Sequence, residues 1–330
     1  MDITTALQQP VELDLPQGTY ATPNAGPGVL IVHVNSPLVP MAIWQLGRSF
    51  IRDKYVVGYW AWELEAVPSD WKFGIDFVHE IWVPSTFVAE AVRPIAKGKP
   101  VRVVPHPVAL GRSKEELPSN TERRDCFTVT CMFNAASSVG RKNPYAVLEA
   151  FRLAFGDSQD VRLLIKTSNF DERYPGHEDF KQRVAETDNV ELINATWSEQ
   201  QIEDLYAKTD VLISLHRSEG FGLVLAEAML RGIPVIATDW SGNRDFLTEE
   251  TGCPVPFTLT PALDPQGIYD HASLHWADAD VNSAAEYLKK LRADVGLRES
   301  LGRAGQDFAF ENWGPDHYSQ IVAEALGLQP

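Results

Sequence analysis

Ser218-Glu219-Gly220-Phe221-Gly222-Leu223-Val224-Leu225-Ala226-Glu227-Ala228-Met229-Leu230-Arg231-Gly232-Ile233-Pro234-Val235-Ile236-Ala237-Thr238 is the stretch that decides the fold. The apolar run 211–215 before it reads as a strand, and two glycines straddle Phe221 where the chain needs backbone freedom to turn into a helix. That helix is expected over 221–231, closed by Gly232, with 234–238 as the following strand. Strand, turn, helix and strand in this order make one unit of a parallel α/β sheet. Unpaired N–H groups at the start of such a helix can face an anion, so the turn reads as a diphosphate seat. Glu219 lies before the helix and Glu227 about two turns along it, on the side able to face the same crevice. One carboxylate can then address a sugar and the other a ribose. Spacing alone leaves a second reading open, a glycine-rich turn with two solvated glutamates.

The same alternation runs outward in both directions. Towards the N-terminus, strands are expected at 127–133, 161–166 and 190–193, with a helix at 144–155 and a helix at 198–208 opened by a capping box of Ser198 and Gln201. A first series has strands at 29–34, 55–60, 80–83 and 101–104, and a helix capped by Ser85. Between the two series, 110–124 (LGRSKEELPSNTERR) is polar and has no apolar period, the pattern of an interdomain linker. The fold class expected is α/β, with two Rossmann-like, doubly wound parallel-sheet domains at 1–110 and 125–307 joined by a linker at 111–124. A helical tail at 308–330 follows.

Composition narrows the function. Of 330 residues, 44% are hydrophobic and 22% charged, as in a soluble globular protein, and no run approaches the roughly 20 apolar residues of a membrane helix. The N-terminus lacks the basic-then-apolar order of a secretory signal, so a cytoplasmic protein is expected. The 3 cysteines have no metal-ligand spacing. The 29 basic against 45 acidic residues leave −16, a charge that repels a phosphodiester backbone and excludes nucleic acid as a partner. It also opposes strong adhesion to anionic lipid. Arg93, Lys97, Lys99 and Arg102 form the one basic patch where a peripheral membrane contact could arise, and an ordinary solvated face is the other reading of it.

With these residues in hand, a resemblance is visible. Glu219 and Glu227, with the glycine-rich spacer between them, match the E-x7-E motif of retaining GT-B glycosyltransferases of family 4 (glycosyl transferases group 1), and 57–65 with 78–85 look like a bacterial subset of that family. The match continues through 231–238 and the turn Ser241-Gly242-Asn243-Arg244-Asp245. The resemblance implies that Glu219 contacts the donor sugar near the reacting carbon. Glu227 binds ribose hydroxyls, and the backbone of Gly220, Phe221, Gly222 and Leu223 lies along sugar and phosphate. The loop 134–144 is similar to the family's Arg-Lys-Asn-Pro segment. By that likeness Lys142, helped by Arg141, neutralises the charge that develops on the leaving nucleoside diphosphate, while Asn143 is expected to cap the next helix. Asn134 stands where many relatives have an arginine, and Lys166 is the candidate for the second phosphate cation. The expected partners are a nucleotide-sugar donor, with UDP or GDP read by backbone around 194–197, and a glycan or lipid-linked acceptor. No cofactor and no metal are expected.

In the first half, Trp60, Trp62, Glu63 and, more weakly, His79 and His106 are candidates for contact with sugar or acceptor, against a role as core aromatics and structural histidines. Nothing before Gly28 supplies the glycine-rich loop with which family members usually begin, and 2–7 looks like the family's second strand. That departure motivates an alternative function, a non-catalytic GT-B module that binds nucleotide sugar or partners a complete transferase. Asp278-Ala279-Asp280 imitates a metal-binding motif, but Asp280 is well placed to cap a helix from Val281.

Overall fold

The computed structural model describes residues 26–108, 126–174 and 176–327. The expected linker and the run at 2–7 lie outside them. Two parallel sheets organise the rest. The first has strands β1 (Gly28–Val32), β2 (Lys54–Tyr59), β3 (Glu80–Val83) and β4 (Val101–Val103), in the order β1-β2-β3-β4. The second has β5 (Phe127–Asn134), β6 (Val161–Ser168), β7 (Val190–Asn194), β8 (Val211–Ser214), β9 (Val235–Thr238) and β10 (Cys253–Val255), in the order β10-β9-β8-β5-β6-β7. Every pairing in both sheets is parallel.

Side chains alternate across each strand, so each sheet buries two faces. Val129, Cys131 and Phe133 of β5 join a cluster with the helices Pro144–Phe155 and Val281–Ala293. On the opposite face, Leu212 and Val235 pack with Leu225, Met229 and Leu230 of the helix Leu223–Leu230, and with Ala309 and Trp313 of the helix Val295–Trp313. In the first sheet Val56, Ile81 and Val83 form one core, while Val57, Tyr59, Trp82 and Val104 face the other way. That second face is covered by Tyr318, Ile321 and Val322 of the C-terminal helix Pro315–Ala325.

Two expectations need correction. The tail is not one helix from Phe308: Gly314, extended at φ −57° and ψ 155°, ends one helix and Pro315 begins the next. The helix expected at 221–231 starts at Leu223, because Gly222 takes φ +103°, which leaves Gly220 and Phe221 in the turn. An antiparallel hairpin, β11 (Phe257–Ala262) with β12 (His271–Ala279), is also present and was not foreseen. In the basic patch, Lys97 pairs with Asp76 at 2.8 Å, Arg102 pairs with the buried Glu80, and Lys99 donates to the Val78 carbonyl. No helix among the described residues is long and apolar enough to cross a membrane.

Candidate functional site

Strand order in the second sheet reverses between β5 and β8. In an open parallel sheet the crevice outside the carboxyl ends at such a reversal is where ligands bind. The loop after β5 carries Arg141 and Lys142, and the loop after β8 carries Glu219. The two loops meet at that point.

Ser138, held at φ +73°, caps the short helix Val139–Lys142 by accepting from Arg141 N, which turns both cations towards β8. Arg141 is 1% exposed. Its Nη1 donates to the Ser218 carbonyl at 2.7 Å and lies 3.2 Å from Glu219 Oε2. Lys142 Nζ pairs with the other oxygen, Glu219 Oε1. Burial by itself would raise the Glu219 carboxyl, but Lys142 and Arg141 outweigh it and hold the group down at about 2. Burial, reinforced by repulsion from Arg141, lowers Lys142 despite its pairing with Glu219. Asn143, expected as a cap, instead sends Nδ2 3.0 Å to the Leu215 carbonyl and so ties the two loops together; its own helix starts without a side-chain cap.

The Glu219 turn is clamped from two sides. Glu219 N donates to Ser241 Oγ at 2.7 Å, and Gly242 N donates to the Glu219 carbonyl at 2.9 Å. From the first domain, Ser85 Oγ donates to the Gly220 carbonyl at 2.6 Å. Beneath the turn His216 is fully buried, with Nδ1 3.1 Å from Ser214 Oγ and Nε2 3.0 Å from Asn243 Oδ1. Burial keeps it neutral by lowering it further.

Glu227 is held separately. Buried Tyr206 donates its hydroxyl to Glu227 Oε2 at 2.7 Å, and the Arg231 guanidinium lies 4.2 Å from the Tyr206 ring centroid while pairing with Glu203. The helix bearing Glu227 has no side-chain cap, so its first N–H groups end at the turn. Phe221 is 4% exposed and wedged between His106, Phe246 and Trp313; Leu223 is 45% exposed.

The remaining candidates divide. Asn134 stays at the crevice, its side-chain oxygen accepting from Ala136 N and Asn169 Nδ2. Lys166 does not end its strand: β6 runs to Ser168, and the ammonium is buried, 5.3 Å from the Trp197 ring and bonded to the Thr167 carbonyl. Trp60 is 0% exposed in the first core, edge-on to Trp71, so it cannot stack on a sugar. His79 sits at the amino end of β3, remote from the carboxyl-end crevice, accepting from Val56 N and stacked on Tyr55. Burial, with repulsion from His33, lowers His106 to about 4. Trp62 and Glu63 do face the second domain, where Tyr269 packs on Trp62 and donates to Glu63 Oε2 at 2.9 Å. Asp280 caps its helix through Asn282 N and Ser283 N, and Asp278 pairs with Arg217. Tyr206, His216 and Tyr269 escaped the sequence reading, and Ser241 entered it only as part of a turn. Only the capping and glycine signals of their neighbours pointed towards them.

Known proteins resemble this chain in sequence and in fold. Over 136 residues, 40% of the chain, it is 30% identical to the lipopolysaccharide core biosynthesis mannosyltransferase LpsB of Rhizobium meliloti (strain 1021), and it spans 34% of that protein. Over 116 residues it is 27% identical to the sulfoquinovosyl transferase SQD2 of Arabidopsis thaliana and spans 19% of it. The chain thus covers about a third or less of these relatives. Among solved structures, Anabaena HepE in complex with UDP and glucose aligns with a TM-score of 0.65 at 15% identity, covering 91% of this chain and 77% of that one. S. aureus TarM in complex with UDP aligns at 0.63 and 13%, covering 87% and 53%. The fold is therefore GT-B. Residues 128–277 match the family model for glycosyl transferases group 1.

Proposed function

We propose that the chain transfers a hexosyl unit from a UDP- or GDP-sugar to a hydroxyl of a glycan or lipid-linked acceptor, retaining the anomeric configuration, in bacterial surface polysaccharide or glycoconjugate synthesis. The observation that carries the reading is the Arg141–Glu219–Lys142 cluster at the reversal of strand order. Two cations beside an uncapped helix start suit the two charges of a departing diphosphate. Lys142 and Arg141 stabilise that charge as the glycosidic bond breaks, and the diphosphate, leaving on the face that the acceptor enters, takes the acceptor's proton. Glu219, held ionised, offsets positive charge on the sugar ring. Glu227, fixed by Tyr206 through one oxygen, keeps the other for ribose hydroxyls. No metal enters the reading, since side-chain cations carry the charge.

LpsB and SQD2 are named for glycosyl transfer, and HepE was solved with UDP and glucose, which supports this choice. Mass spectrometry of the purified protein with a panel of UDP- and GDP-sugars, with and without glycan acceptors, tests it. Release of nucleoside diphosphate coupled to an acceptor gaining one hexosyl mass is the expected result. Nucleotide binding without turnover on any donor would instead establish the non-catalytic module.

A further inference from the structure

The tip of the β11–β12 hairpin, residues 263–270, touches both walls of the crevice. Its Asp264 carboxylate accepts from the backbone of Gln266, Ile268 and Tyr269 and from Ser138 Oγ, at 2.8–3.1 Å. Gln266 accepts from Val139 N at 2.6 Å and donates to the Ala135 carbonyl at 3.1 Å. The tip is therefore fastened to the loop that carries Arg141 and Lys142. From this fixed base Tyr269, 6% exposed, lays its ring 5.0 Å from the Arg141 guanidinium and extends its hydroxyl to Glu63 of the opposite domain.

Glu63 is a carboxylate whose field reaches both Arg141 and Lys142. Those two cations already share one carboxylate, Glu219. A second anion closing on them would cancel the charge that an incoming diphosphate needs, because buried charge pairs interact strongly and exclude a competing anion. The tyrosine hydroxyl gives one Glu63 oxygen a partner elsewhere, and the ring occupies a face of Arg141.

We infer that Tyr269 is a positioning residue that withholds Glu63 from Arg141 and Lys142 and so keeps both cations open to a nucleoside diphosphate. This rests on the reading of the site given above. Tyr269→Phe keeps the ring and removes only the hydroxyl. The released Glu63 then competes with the ligand, whereas adding Glu63→Gln removes the competitor.

Calorimetric titration of UDP and of GDP into the full chain, the single variant and the double variant tests this, with melting by circular dichroism to show that each is folded. The expected result is a loss of about tenfold in diphosphate affinity for Tyr269→Phe. Recovery to within about twofold of the unaltered protein is expected in Tyr269→Phe/Glu63→Gln. A purely packing role for the hydroxyl predicts no recovery, so a double variant as weak as the single one overturns the proposal. A Tyr269→Phe variant with unchanged affinity overturns it too. If the unaltered protein binds neither UDP nor GDP, the diphosphate reading itself fails and this inference falls with it.

Discussion

Lys142 and Arg141 face the same carboxylate for different reasons. Arg141 is spent largely on structure: besides Glu219 it bonds the Ser218 and Ser137 carbonyls, so it fixes the geometry of both loops. Lys142 is side-chain bonded to Glu219 alone among the described contacts, and burial has already lowered its hold on the proton. It is the cation free to follow a charge that grows during reaction. We expect Lys142→Ala to lower turnover by more than it raises the Michaelis constant, because an interaction strengthened in the transition state acts on kcat. A variant with normal turnover and poor affinity would make Lys142 an ordinary ground-state contact. If Glu227 binds ribose as proposed, Glu227→Ala should weaken UDP or GDP binding by about 1–3 kcal/mol, the worth of hydrogen bonds to a charged group. Tyr206→Phe should cost about 1 kcal/mol by freeing the carboxylate to rotate. Calorimetry reads both, and unchanged affinity in Glu227→Ala removes that residue from the site.

Turns rather than helices or strands hold the site together, and they determine what could be foreseen. A Cβ on Gly242 would lie 2.3 Å from the Gly220 carbonyl oxygen, a backbone atom, so the two turns meet where no side chain fits. Gly242→Ala is expected to destabilise by about 1–3 kcal/mol through overpacking, measured by urea unfolding, and to weaken donor binding as the Glu219 turn moves. Stability within error of the unaltered protein would show that the turns part without cost. The helix Pro144–Phe155 was legible at both ends because proline at its first position and Gly156 after its last are local signals. That Glu219, Arg141 and Lys142 share one site was implied by the family resemblance of their two loops, since spacing alone left a solvated-glutamate reading open. The β11–β12 hairpin was not, since Pro261 interrupts β11, its pairing shifts between Pro261 and Ala262, and its alternation is partly polar. Trp60 and His79 misled because a strand's sequence does not reveal which residues face the core or which end of the sheet lines the crevice. Asn143 does stand at the cap position before Pro144, but its αL backbone, φ +50°, turns the side chain towards Leu215 instead of its own helix.

At the scale of the whole molecule the two domains touch at several points besides the chain that connects them. Thr86 N donates to Asp245 Oδ2 at 2.7 Å, Phe87 packs edge-on to Trp240, His275 pairs with Glu65, and His106 meets Phe221. Half of these contacts are polar and half are ring contacts, and each is small, with ion pairs at exposed sites worth about 1 kcal/mol or less. The C-terminal helix Pro315–Ala325 differs in kind. It follows a helix whose Ala309 and Trp313 are core residues of the second domain, yet it packs an apolar side on the first sheet. It acts as a strap, rooted in one domain and buried on the other, and the break at Gly314 lets one chain do both. Cutting the chain at Gly305 would damage the second domain's own core, so the informative truncation ends at Gly314. Without the strap, Val57, Tyr59, Trp82 and Val104 lose their cover, all at most 4% exposed in the intact fold. We expect this truncation to increase the radius of gyration in solution scattering and to abolish transfer, because both domains must close on the donor. UDP or GDP affinity should survive, since Arg141, Lys142, Glu219 and Glu227 are all carried by the second domain. A truncated protein that stays as compact and turns over as fast as the full chain would show that the remaining contacts alone dock the domains.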